Sequence, residues 1–71
     1  MIILSQDGER LVDAGEVTYN ETTPDEHHVY VMIDIAYSFG EYETKARCLE
    51  VIEEIADRQC GIVTVYKMPK E

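Results

Sequence analysis

Seventy-one residues suffice for one small domain, and a chain of this length hides only roughly 60% of its unfolded surface on folding. Apolar residues make up 45% of it, enough for a packed interior and too many for a disordered segment. Fifteen acidic residues against six basic ones leave a formal charge of -9, which disfavours direct binding to nucleic acid, since phosphates are neutralised by Lys and Arg; no apolar stretch approaches membrane-spanning length.

Ile2 to Ser5 reads as a short strand that ends in Gln6-Asp7-Gly8-Glu9, and Asp-Gly is a strong hairpin signal because both residues tolerate positive φ. Arg10 to Asp13 then returns as a second strand, and after Ala14-Gly15 the alternation of Val17 and Tyr19 with Glu16, Thr18 and Asn20 predicts a third. Thr23-Pro24-Asp25-Glu26 has the form of a helix start. The run behind it, Val29 to Ile35, is β-branched and alternating, so the Pro-Asp segment is read as a turn and Val29, Val31, Ile33 and Ile35 as one face of the best strand in the chain. Its other face, Tyr30, Met32, Asp34 and Ala36, is too apolar for an ordinary solvated surface.

Past Ser38-Phe39-Gly40, Thr44 caps a helix over 45–59 that Gly61 closes. Cys48, Leu49, Ile52, Ile55 and Ala56 form its apolar stripe, while Glu50, Glu53, Glu54 and Asp57 lie outward, partly balanced by Arg47 and Arg58. Ile62 to Met68 is a last β-rich run halted by Pro69. Residues 1–71 are thus read as a single α+β domain: an antiparallel sheet of four to five short strands with one amphipathic helix packed on one face, in the order β-β-β-β-α-β.

The candidate chemistry is sparse. His27 and His28 adjoin Asp25 and Glu26, but neighbours entering a strand point to opposite faces and no metal-binding spacing accompanies them, so no metal site is expected. Asp34 has no second carboxylate, Lys or His at a defined spacing, as general acid-base work needs. Gly8, Gly15, Gly40 and Gly61 read as turns or a cap rather than a phosphate-cradling loop. Cys48 and Cys60 sit at opposite ends of the helix, about 18 Å apart, too far to pair, as suits a reducing compartment. No catalytic residue and no cofactor are expected.

Three stretches carry a resemblance: Ile2-Ile3-Leu4-Ser5-Gln6-Asp7-Gly8 at the start, Tyr42-Glu43-Thr44-Lys45 with Leu49-Glu50-Val51-Ile52-Glu53-Glu54-Ile55 at the helix, and Val65-Tyr66-Lys67-Met68-Pro69 at the close. Together they resemble a group of small proteins from bacteriophages and prophages of Gram-positive bacteria, while 20–37 has no counterpart in it. The group has no assigned activity, so the resemblance implies an origin and a topology and transfers no functional residue; it fits the intracellular reading of the cysteines, and with it a place in the host cytoplasm. The composite expectation is a non-enzymatic phage accessory protein that engages a basic host or phage protein through Glu50, Glu53, Glu54 and Asp57. A small chain without a disulfide or metal also invites a homodimer, here through Tyr30, Met32 and Ala36. A structural subunit of a phage particle and a small metal-dependent hydrolase or nuclease are the alternatives.

Overall fold

A computed structural model describes residues 2–33, 35–59 and 65–71. Along the chain run β1 (Ile2–Leu4), β2 (Leu11–Asp13), β3 (Glu16–Thr23), β4 (Glu26–Met32), β5 (Ala36–Tyr42), the helix α1 (Lys45–Gln59) and β6 (Val65–Lys67). The α+β class stands. The single antiparallel sheet of four to five strands does not: the strands form two three-stranded sheets, ordered β2-β1-β6 and β3-β4-β5, and β6 lies parallel to β1. A parallel pair requires a long crossover between its strands, and the rest of the chain supplies it.

The turn after β1 is built as its sequence implies. Gly8 takes φ +76°, its N–H donates to the Ser5 carbonyl at 2.9 Å, and the Ser5 N–H closes the loop on the Arg10 carbonyl at 2.8 Å. Ser5 is buried, so its hydroxyl must be satisfied internally; it donates to Asp7 Oδ1 at 2.5 Å and accepts the Arg10 N–H at 3.0 Å. Pro24-Asp25 makes a two-residue turn between β3 and β4, with a bulge between Glu21 and Thr23. No non-glycine residue among those described has positive φ, so this turn is not of the primed types whose twist matches a hairpin, and the bulge takes up the mismatch.

The strand expected to run from Val29 to Ile35 stops at Met32. Val29 and Val31 are buried as expected, but Ile33 and Ile35 are 49% and 59% exposed at a tight reversal where the Ile33 N–H reaches the Ile35 carbonyl at 3.3 Å. The chain then returns as β5, a strand hidden from pattern reading because a bulge at Phe39 breaks its alternation: Val29 pairs with Gly40, yet Tyr30 pairs with Ser38. Phe39 and Tyr42 both turn into the core as a result.

Helix α1 has the expected bounds, and Thr44 caps it by accepting the Arg47 N–H on Oγ1 at 3.1 Å. Its buried stripe differs from the expected one. Cys48, Val51 and Ile55 are buried, Ile52 is half-buried, and Leu49 and Ala56 are exposed. At about 100° per residue the observed stripe centres on Ile55 rather than Ile52, about 60° round the helix. The stripe packs on β3, β4 and β5, and Ile3, Tyr66 and Met68 from the other sheet belong to the same core. Gly61 as cap, together with Asp34, Cys60 and Ile62 to Thr64, lies outside the described residues.

Candidate interaction surfaces

Glu50, Glu53, Glu54 and Asp57 are all exposed and border one shallow hollow of about 230 Å³ on the solvent side of α1. They lie three and four residues apart, which makes them neighbours on one helix face. The face is held still because its reverse side carries Cys48, Val51 and Ile55 into the core. Its charge is not uniform: Arg47 Nη1 lies 3.9 Å from Glu50 and 3.8 Å from Glu54. These are screened surface pairs and contribute little stability.

Tyr30 and Met32 are half-buried and Ala36 is exposed. Strand register places them on the face of the β3-β4-β5 sheet that α1 does not cover, with Thr18, Tyr30 and Ser38 in one cross-strand row and Glu16, Met32 and Ala36 in the next. This outer face is therefore apolar only along its middle strand.

The two histidines point to opposite faces. His27 Nδ1 lies 2.8 Å from the Tyr19 hydroxyl, with the rings stacked. His28 Nδ1 lies 2.8 Å from Ser38 Oγ and its ring meets Tyr30 edge-on. The His28–Ser38 contact was not legible in the sequence, since it depends on the pairing of Tyr30 with Ser38 across β4 and β5. It joins a base to a hydroxyl beside Asp7 and Arg10 in a hollow of about 210 Å³. Asp7 is committed elsewhere: the Ser5 hydroxyl, then the Glu9 N–H, hold its carboxyl below the usual range. Among the described residues, His28 meets Ser38 and Tyr30, and no hydrogen bond joins it to a carboxylate. Among the described residues no group of three or more His, Cys, Asp or Glu side chains is placed to hold a metal ion. Burial pushes the Cys48 thiol up, away from the reactive thiolate.

A cleft of about 630 Å³ opens at the start of α1 between Glu41, Glu43, Arg47 and Lys70. Arg47 is spent within it, donating through Nε to the Glu71 backbone oxygen at 2.9 Å. On the other flank of α1, Lys45 Nζ stands 5.4 Å over the Tyr19 ring, and Ile52, Ile55 and Ala56 face Glu16 and Val17 across a groove of about 170 Å³. No helix among the described residues is long and apolar enough to cross a membrane. Compared with protein families, curated proteins and solved structures, the chain matches none of them.

Proposed function

We propose that this protein is a non-enzymatic phage accessory protein that binds a basic host or phage protein in the cytoplasm and modulates or inhibits it. The observation that carries the reading is the display of Glu50, Glu53, Glu54 and Asp57 on one exposed face of a helix whose opposite face is locked into the core. Acids fixed at this spacing oppose Lys and Arg side chains of the kind that otherwise meet phosphate. The experiment is capture of partners from host lysate with the native protein and with a variant carrying Gln at Glu50, Glu53, Glu54 and Asp57. A basic protein retained at about 0.1 M salt and released by about 1 M, where the screening length falls from about 10 Å to 3 Å, and absent with the variant, is the expected result. A partner held equally by both proteins overturns the assignment to this face.

Self-association through Tyr30, Met32 and Ala36 is a second reading, supported by the position of Tyr30 and Met32 on the uncovered sheet face. Sedimentation should then show a dimer at micromolar concentration that added salt strengthens, because equal negative charges repel. Met32→Glu should return it to monomer, and a monomeric wild-type protein at millimolar concentration removes this reading.

A further inference from the structure

Asp7-Gly8 is the one place in the chain where an Asp or Asn precedes glycine. In such a pair the glycine nitrogen lies a single ring closure away from the carboxyl carbon of the aspartate, and glycine has no side chain to keep the two apart. Burial does not protect them. Asp7 and Gly8 are both exposed, and a Cβ built on Gly8 would meet nothing within 4 Å.

Hydrogen bonds hold the two reacting groups instead. Asp7 Oδ1 accepts from the Ser5 hydroxyl and from the Glu9 N–H at 2.9 Å. Both donors favour the carboxylate, which has no leaving group, over the acid, whose hydroxyl departs as water. The Gly8 N–H is engaged as well, donated to the Ser5 carbonyl at 2.9 Å, although the nitrogen must shed that proton to act as a nucleophile. Ser5 therefore makes two of these three bonds. It is itself fixed, being buried and accepting the Arg10 N–H at 3.0 Å.

We infer that Asp7-Gly8 is a latent site of spontaneous isoaspartate formation, held closed in the folded protein by Ser5. When the turn opens, the Gly8 nitrogen attacks Cγ of the protonated Asp7 carboxyl. The carbon–nitrogen bond forms, the nitrogen gives up its proton, and the carboxyl hydroxyl leaves with that proton as water, so that a succinimide remains. Water then adds at one of the two ring carbonyls. Cleavage between nitrogen and Cγ restores Asp7; cleavage between nitrogen and the main-chain carbonyl carbon leaves Gly8 joined through Cγ and turns the former main-chain carbonyl into the free carboxylate. Water is the only other reactant. The product lengthens the backbone by one carbon beside Gln6, whose N–H donates to the Phe39 carbonyl of β5 at 2.7 Å and whose side chain binds the backbone of Glu41 and Lys70. Isomerisation at this turn therefore loosens the join between the two sheets.

The test holds the full chain for weeks at mildly acidic pH, folded in buffer and unfolded in guanidinium chloride. Isoaspartate at Asp7 is read by peptide mass spectrometry and by methyl transfer from an isoaspartyl methyltransferase. The unfolded chain should form it at least about tenfold faster than the folded one, because opening of the turn gates the folded rate. Ser5→Ala should speed the folded protein about tenfold through loss of the hydroxyl bond. Gln6→Ala, which weakens the fold without removing any bond to Asp7 or Gly8, should leave the folded rate near that of wild type. The isolated isoaspartyl chain should unfold at lower urea than its parent. Equal rates in the folded and unfolded wild-type chain overturn the inference, and this comparison decides it even where Ser5→Ala does not fold. A Gln6→Ala rate as high as that of Ser5→Ala overturns the role of Ser5 by making general instability the cause, and an isoaspartyl chain as stable as its parent overturns the structural consequence.

Discussion

Gln6 holds the backbone of Glu41 at both of its polar groups: Oε1 accepts the Glu41 N–H at 2.8 Å, and Nε2 donates to the Glu41 carbonyl at 3.0 Å. The same Nε2 reaches the Lys70 carbonyl at 2.9 Å. One side chain from the loop after β1 therefore substitutes for a neighbouring strand along β5 and ties the C-terminal segment to both sheets. Gln6→Ala should lower stability by about 1–2 kcal/mol through unmet backbone groups, read as a lower midpoint in urea. A midpoint equal to wild type would show that water replaces these bonds without loss.

The observed orientation of α1 ranks two adjacent positions. Val51 is fully buried and Ile52 only half so. Val51→Asp should abolish the cooperative thermal transition, since an unpaired charge in a core this small exceeds the available stability. Ile52→Asp should cost about 1–3 kcal/mol and leave a folded protein. The reverse order would restore the stripe centred on Ile52.

Gly40 is required by its neighbour two residues on. A Cβ at Gly40 would stand 2.7 Å from Cε2 and the hydroxyl oxygen of Tyr42 and 2.9 Å from its Cζ. The ring cannot withdraw cheaply, being buried and donating its hydroxyl to the Pro69 carbonyl at 2.9 Å. Gly40→Ala should therefore cost about 1–3 kcal/mol, and in the double variant with Tyr42→Ala the added cost of the methyl should vanish. Persistence of the full cost in that background would place the strain in the backbone instead.

Two buried phenols set an alkaline limit. Burial first, then the nearby charge of Glu54, pushes Tyr66 up to about 12, and burial pushes Tyr42 well above its ordinary value. A pKa raised in the folded state means that the folded protein holds protons the unfolded chain has released. That stability is complete below about pH 10, the unfolded value, and is lost as pH climbs towards 12. Unfolding followed by circular dichroism should set in over this window, together with ionisation of both phenols. The Tyr66 hydroxyl is buried without a well-formed hydrogen bond, so Tyr66→Phe should be neutral or stabilising near pH 7 and should shift the alkaline midpoint upward. Tyr42→Phe loses the Pro69 bond and should cost about 1 kcal/mol.

What the sequence determined alone is what neighbours along the chain decide. The Thr44 cap and helical period delimit α1, Asp7-Gly8 makes its turn, the alternation of Val29 and Val31 marks the core face of β4, and the count of acids sets the charge. Each depends on φ preference, capping or periodicity within a few residues. Tertiary structure decided the rest. The bulge at Phe39 broke the alternation of β5, the pairing of Tyr30 with Ser38 set Ser38 beside His28, and β6 paired parallel to β1 in a second sheet. The packed stripe of α1 lies about 60° round the helix from the expected one, burying Val51 and leaving Leu49 and Ala56 exposed. A helix stripe has a direction only relative to what it packs against, and Ile3, Tyr66 and Met68, which complete that packing, come from the two ends of the chain.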